Sequence, residues 1–170
     1  LKGKELKVIA WIFAKTVNSP NPAFSDVKVP LASTFLLSSH PNNQAYIEPS
    51  IKGKTFKFKV KTGIPKDVEK VKSGTKIARG ANFRCLFSGT PIDGNHIKEA
   101  GKNGDLSSCL MAVVAEGPNG RIYAAPTTEH EEAFKKAVPS WRPDILISGN
   151  TQYLGTVSYT HLTLPTKLAV

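Results

Sequence analysis

The sequence predicts an α+β domain that is rich in short antiparallel strands and has one or two short helices. Three stretches support this fold class. Residues 55–61 alternate strictly between apolar side chains and lysine, a pattern typical of a half-buried strand in an antiparallel sheet. Residues 108–126 place apolar runs on either side of a Gly-Pro-Asn-Gly turn, which predicts a hairpin. Residues 127–138 predict a helix, with Thr128 as its cap, Glu131 completing a capping box and lysines in its last turn.

The remaining elements carry weaker local signals. Apolar residues between positions 4 and 17 recur at a helical spacing, which a buried strand would match equally well. The prolines and asparagines of residues 18–22 indicate a turn. Residues 27–39 predict a single strand, in which Pro30 indicates an edge position or a bulge. Residues 65–74 predict a short exposed helix that ends at its glycine.

The composition is that of a chain with enough apolar residues for one hydrophobic core. Of 170 residues, 40% are hydrophobic and 21% are charged. No apolar run has the length of a membrane span and no signal peptide opens the chain, so no membrane partner is expected. Cys85 and Cys109 do not suffice for a disulfide framework, which favours a reducing, cytoplasmic setting.

The formal net charge is +10, from 23 Lys and Arg against 13 Asp and Glu. Such a charge attracts polyanions through phosphate contacts and counterion release. The strand predicted at residues 55–61 presents Lys57, Lys59 and Lys61 on one face, and these are the candidate nucleic-acid-binding residues. Lysines that only keep an edge strand soluble would produce the same pattern, so both interpretations stay open.

Catalytic and cofactor motifs are not supported by their spacing. Residues 53–55, Gly-Lys-Thr, lack the first glycine of a phosphate loop. His130 lacks the second histidine of a metalloprotease helix, and His40 and His96 are predicted to lie in loops without ligand-spaced partners. Asn-Pro-Ala-Phe at residues 21–24 has alanine where the Asn/Asp-Pro-Pro-aromatic loop of amino-directed methyltransferases has its second proline. No catalytic or cofactor-binding residue is assigned.

Cys85 begins a Cys-Leu-Phe-Ser-Gly run that has the spacing of a zinc knuckle with its second cysteine replaced by Ser88. A structural zinc site needs four deprotonated Cys or His ligands, and a serine hydroxyl stays protonated at neutral pH. Cys109, which fits a buried strand, would still leave such a site half filled if the fold brought it near. No metal ligand is therefore assigned.

Five strings, taken in order, resemble prokaryotic adenine-specific DNA methylases that contain a zinc-ribbon insert. They are AKTVNSPNPAF, VPLASTF, RGANFRCLFSGTPI, LMAVVAEGPNGRIYAAPTTEHE and WRPD, and the resemblance extends over residues 11–155. It implies a parent enzyme that transfers a methyl group from S-adenosylmethionine to the exocyclic amine of adenine in DNA. In that family the Gly-rich cofactor strand lies upstream of this region and the Asp-Pro-Pro-Tyr catalytic loop lies downstream, so neither cofactor nor catalytic residues are carried over.

The resemblance also divides the chain. Residues 1–17 correspond to the end of the preceding methylase segment, and residues 18–156 to a degenerate ribbon-like insert with the linker after it. The implied partners are DNA and the rest of the methylase chain. Two roles are expected for the insert: contact with DNA, or bracing of the two catalytic halves. A structural or protein-interaction insert without nucleic-acid contact is the alternative.

The ribbon departs from the family pattern at three of its four ligand positions. Members with the full ribbon have cysteines at the places held here by Ser19, Phe24, Cys85 and Ser88. The resemblance therefore implies a metal-free ribbon that apolar packing stabilises in place of zinc. The side chains expected to supply this packing are Phe24, Phe83, Leu86 and Phe87.

Residues 157–170 break with the composition of the preceding chain, since they contain no acidic residue. Their first ten residues resemble a sequencing adapter read as coding sequence. An edge strand with period-two alternation is the alternative. We therefore expect a non-native tail, base no functional argument on His161, and expect the native protein to extend beyond both ends of the chain.

Overall fold

β-Strands dominate the part of the chain that the computed structural model describes, residues 6–118 and 120–137. All of its elements belong to one compact unit, Leu1–Lys136. The strands are β1 (Val8–Asn18), β2 (Lys28–Leu31), β3 (Leu36–Ser38), β4 (Ala45–Lys52), β5 (Thr55–Thr62), β6 (Phe83–Arg84), β7 (Pro91–Ile92), β8 (Ser107–Gly117) and β9 (Gly120–Ala124). The helices are α1 (Val68–Ser73), α2 (Gly94–Lys102) and α3 (Thr128–Lys136), with a 3₁₀ turn at Pro22–Phe24. The predicted adapter-like tail and WRPD lie outside the described residues.

The strands form three antiparallel sheets. The first has the order β2-β1-β8-β9, the second the order β3-β4-β5, and the third is the small β6-β7 hairpin. The predicted α+β class is therefore confirmed. The hairpin predicted at residues 108–126 is β8-β9, closed by pairing of Gly117 with Gly120.

β1 resolves the ambiguity between helix and strand at residues 4–17. It lies between β2 and β8 and has neighbours on both of its faces. Ile12 and Ala14 pack into the core between the two larger sheets, whereas Phe13 contacts Phe134 of α3 with ring centroids 4.6 Å apart. Because one face of β1 packs into the core and α3 partly covers the other, apolar side chains occur at consecutive positions, which explains the apparent helical spacing.

The single strand predicted at residues 27–39 is in fact two strands in different sheets. β2 is an edge strand of the first sheet, so the edge position expected from Pro30 is confirmed. The chain leaves this sheet at Ala32, where the side chain of the buried Thr75, rather than another strand, is the hydrogen-bond partner of the backbone. The Thr75 hydroxyl accepts from the Ala32 N–H at 2.9 Å and lies 3.1 Å from the Pro30 carbonyl. β3 then starts a separate sheet at Leu36.

Two corrections concern helices. α2 was not predicted, and it places His96 in its first turn rather than in a loop; Asp93 caps this helix by accepting from the His96 N–H at 2.7 Å. α3 is confirmed as a helix, but its cap is Thr127 rather than Thr128. The Thr127 hydroxyl accepts from the His130 N–H, and the His130 Nδ1 accepts from the Thr127 N–H. His130 thus makes the reciprocal hydrogen bond of the capping box, which the sequence analysis assigned to Glu131.

Two buried clusters hold these elements together. The first lies between the two larger sheets and includes Phe35, Ile47, Phe58 and Ala112. The second fixes α2 and the β6-β7 hairpin against one end of the first sheet. Its buried members are Val17, Val29, Cys85, Ile92 and Ala100. Cys85 therefore belongs to the core.

We expect Gly74→Ala to destabilise the domain strongly. Gly74 ends α1 at φ +59°, and an added Cβ would lie 2.5 Å from the Ala32 carbonyl oxygen. The left-handed backbone costs about 1–2 kcal/mol for a residue with a Cβ, and the forced displacement adds about 1–3 kcal/mol. Gly53→Ala is the matched control, because its φ is +60° and nothing lies within 4 Å. Urea unfolding should show the larger loss for Gly74→Ala; equal losses would contradict the close approach.

Candidate nucleic-acid interface and the former ligand positions

The predicted lysine row lies on the solvent face of the second sheet. Lys57, Lys59 and Lys61 are all exposed on β5, whereas Phe58 between them is buried in the core. Residues two apart on a strand are about 7 Å apart, so the row is roughly 14 Å long. β5 is also the edge strand of its sheet, a position where lysines discourage pairing with another chain. The structure thus brings the three residues together without deciding between the two interpretations.

One of the three lysines, Lys61, forms an ion pair with a carboxylate. Lys61 Nζ lies 2.7 Å from Glu48 Oε2 on the neighbouring strand β4. The hydrogen bond with Lys61 lowers the pKa of Glu48, and the same bond raises the pKa of Lys61. Both side chains are about half exposed, so the pair adds little stability. Lys57 and Lys59 have no carboxylate within 4 Å in the described part of the chain and carry most of the available charge.

A fourth lysine on this face was missed by the sequence analysis. Lys52 ends β4 and pairs with Thr55, so it lies on the same side of the sheet as Lys57 and Lys59. The alternation along β4 is the signal that could have found it. Lys54, in the turn between the two strands, is bound instead to Asp26 at 2.8 Å. We call Lys52, Lys57, Lys59 and Lys61 the lysine face.

The structure brings together positions that the resemblance assigned to the lost metal ligands. Ser19 and Cys85, which are 66 residues apart in sequence, are both buried, and Ser19 Oγ lies 3.2 Å from Cys85 Sγ. Burial raises the pKa of the Cys85 thiol, but hydrogen bonds with the Ser19 and Ser88 hydroxyls, and with the backbone of Ser88 and Phe87, outweigh it. The pKa of Cys85 therefore lies below its ordinary value.

The loop after Cys85 is closed by its own backbone. The Cys85 N–H donates to the Thr90 carbonyl at 2.8 Å, and the Gly89 N–H donates to the Cys85 carbonyl at 2.9 Å. Gly89 has a φ of +73°, which glycine adopts without strain. Asn21 Nδ2 reaches Thr90 Oγ1 at 3.4 Å and links this loop to the segment after β1. These bonds hold the turn with protein groups alone.

Aromatic packing surrounds Phe24, the remaining position at which the resemblance implied a ligand. Phe24 stacks on Phe87 with ring centroids 5.7 Å apart, and Phe56 of β5 contacts the same Phe87 ring at 6.0 Å. Phe83 packs against the second buried cluster, and Leu86 is half-buried. The expected apolar cluster is thus present for Phe24 and Phe87. Phe56 is the contributor that sequence reasoning missed, because it comes from another sheet.

Two further candidates, Cys109 and Asn21, occupy structural positions. Cys109 is on β8 opposite Ala14, and burial raises the pKa of its thiol to about 11. Asn21 caps the 3₁₀ turn by accepting from the Ala23 N–H at 3.0 Å, a structural use of the Asn-Pro-Ala-Phe run. Among the described residues, no three His, Cys, Asp or Glu side chains are grouped so that they could hold a metal ion. None of the helices in this part of the chain is long and apolar enough to cross a membrane.

Comparison of the chain with protein-family models, curated proteins and solved structures gives no match.

We expect zinc binding to appear when cysteines are introduced at the three positions where the resemblance implies them. The variant Ser19→Cys/Phe24→Cys/Ser88→Cys joins three new thiols to Cys85 and completes a four-thiolate set. Without metal it should be less stable than the unsubstituted chain, because it loses the Phe24–Phe87 stack. Metal analysis after dialysis should find one zinc per chain, and zinc should raise the urea midpoint. Ser19→Cys/Ser88→Cys, which keeps Phe24, is the control for weaker three-ligand binding.

Absence of zinc from the triple variant would show that the four positions do not meet at ligand distance. The ribbon interpretation would then lose its structural basis.

Proposed function

We propose that this chain is the metal-free ribbon-like insert of an S-adenosylmethionine-dependent adenine-specific DNA methyltransferase, and that its lysine face contacts the phosphate backbone of duplex DNA. The observation that carries the DNA role is the shared exposure of Lys52, Lys57 and Lys59 without partner carboxylates. Lysine acts as a point charge toward phosphate, so this face suits general affinity better than base recognition. We also propose that this protein acts in the cytoplasm.

The contact between Ser19 and Cys85 supports the ribbon part of the proposal. The segments around Ser19 and Cys85, which are far apart in sequence, meet where the family resemblance places the ligand pairs of the ribbon. Hydrogen bonds to the Cys85 thiol lower its pKa and so favour the thiolate. The chemistry of methyl transfer would come from segments outside this chain. No residue described here takes a catalytic or cofactor-binding role in the proposal.

A second candidate is docking against another protein surface, such as the rest of the methylase chain. The observation that favours it is an apolar patch where α3 meets the first sheet. Its members are between one third and one half exposed: Ile9 46%, Trp11 36%, Phe13 38% and Phe134 39%. Apolar side chains exposed together in this way are typical of interaction surfaces. This patch is remote in sequence from β5, so the two roles are testable separately.

The DNA role predicts a specific salt dependence. The variant Lys57→Gln/Lys59→Gln/Lys61→Gln should bind a labelled duplex more weakly and lower the slope of log affinity against log salt by about 2. Lys57 and Lys59 each account for about 0.9 of that slope, and Lys61 contributes less because it is shared with Glu48. Fluorescence anisotropy across a salt series measures both quantities.

The matched control is Lys7→Gln/Lys98→Gln/Lys135→Gln, which removes the same charge from exposed lysines that have no ion pair in the described part of the chain. Its slope should stay close to that of the unsubstituted chain. Equal slopes for the two triple variants would remove the DNA role of β5 and favour the docking role.

The parentage predicts the content of the flanking DNA. We expect a reading frame that continues upstream into a Gly-rich cofactor strand and downstream into an Asp-Pro-Pro-Tyr loop. Sequencing genomic DNA on both sides of the coding segment measures this directly. A frame with neither motif would contradict the methyltransferase proposal. It would not affect the predicted DNA binding, which the salt series tests independently.

A further inference from the structure

We infer that a groove beside the lysine face holds a short stretch of single-stranded DNA, an inference that rests on the proposed function. The groove has a volume of about 910 Å³ and lies between β4 and α1. Apolar side chains contribute to its lining, among them Pro49, Ile51 and Leu86. The volume is on the scale of pockets that enclose a drug-sized ligand. A duplex, which presents its phosphates on a broad convex surface, fits such a concavity poorly.

Every carboxylate of the lining is already engaged within the protein. Glu48 pairs with Lys61, and Glu69 pairs with Lys72 at 3.7 Å. Asp67 caps α1 by accepting from the Lys70 N–H at 2.9 Å. These bonds orient the three carboxylates but do not remove their charge, and the cations of the described lining outnumber them: Lys61, Lys66, Lys70, Lys76 and Arg84.

The cations of the lining are free by comparison. Four of them are exposed and have no carboxylate within 4 Å among the residues that the structure describes: Lys66, Lys70, Lys76 and Arg84. They come from the segment before α1, the middle of α1, the segment after it and β6. A chain of phosphates laid along the groove would meet them in turn, with its bases toward the apolar lining.

The groove also has a surface for stacking. Tyr46 is half-buried on β4 and lines the groove beside Lys61. Aromatic rings bind bases through their faces whatever the sequence, as in other proteins that bind single strands. Tyr46 pairs with Lys61 and so lies where the groove adjoins the lysine face; among the described residues, it is the concavity and the apolar side chains that distinguish the groove.

An added peptide strand is a poorer occupant. β3 pairs with β4 only at Ala45 and Tyr46, so the edge of β4 beyond Ile47 is open toward α1. Pro49 occupies that edge and has no N–H to donate, which blocks regular strand addition. The open edge therefore offers a peptide few backbone bonds, whereas the cations offer phosphates four charges.

The test uses the full 170-residue chain, a labelled short oligothymidine and a duplex of the same length. The groove variant is Lys66→Gln/Lys76→Gln/Arg84→Gln, and the control is again Lys7→Gln/Lys98→Gln/Lys135→Gln. The groove variant should bind oligothymidine more weakly, and its slope of log affinity against log salt should fall by about 2, since each single-strand phosphate contact contributes about 0.7. Its affinity for the duplex should match that of the control variant.

A second variant tests the stacking contribution without changing the charge. Tyr46→Leu should weaken binding of oligothymidine by about fivefold or more at every salt concentration, with an unchanged slope. Urea midpoints close to that of the unsubstituted chain verify that both variants fold.

Three results would overturn the inference. Equal affinity of the groove variant and the control variant for oligothymidine would show that the groove does not contact a single strand. Equal losses for oligothymidine and duplex would show that the groove adds only general charge. Competition by oligoglutamate as effective as that by unlabelled oligothymidine would assign the groove to an acidic peptide. Failure of the duplex contact at the lysine face is read separately, from a Lys52→Gln/Lys57→Gln/Lys59→Gln variant, which leaves the groove residue Lys61 in place.

Discussion

The pairing of β1 with β8 is the constraint on which the rest of the structure depends. The two strands are each eleven residues long and lie side by side in the middle of the first sheet. β8 is apolar and buried at six consecutive positions; the second sheet covers one face of the pair, and α3 packs on Phe13 of the adjacent strand β1. Because β1 and β8 are neighbours in one sheet, the chain between them must leave this sheet and return to it. The second sheet, α1, the small β6-β7 hairpin and α2 all lie in this intervening segment.

Two buried polar side chains fix the course of that intervening segment. Thr75 holds the backbone of Pro30 and Ala32 where the chain leaves the first sheet, and Ser19 contacts Cys85 where the small hairpin returns to it. A buried hydroxyl left without a partner would cost free energy, so both contacts specify one arrangement of the loops. The Phe24–Phe87 stack adds apolar area at the second contact. Hydrogen bonds and aromatic packing thus hold these loops against the first sheet.

The proposed DNA role and the single-strand groove depend on the same sheet but on different physical features. The lysine face is exposed and follows from alternation along β4 and β5, so its charge is available to any nearby polyanion and is screened by salt. The groove exists because α1 faces the open edge of β4, and its own carboxylates are already bonded. Charge alone would make the two surfaces equivalent; the concavity of the groove and its apolar lining separate them.

Local signals in the sequence determined the elements whose causes lie within a few residues. The alternation at residues 55–61, the β8-β9 hairpin and the helix that ends at Gly74 all follow from side-chain period, turn residues and caps. Only the tertiary structure decided that residues 27–39 divide between two sheets, that α2 forms, and that Ser19 reaches Cys85 across 66 residues. The groove likewise joins residues from α1, β4 and β6. Such contacts depend on which buried faces meet, and no short stretch of sequence contains that information.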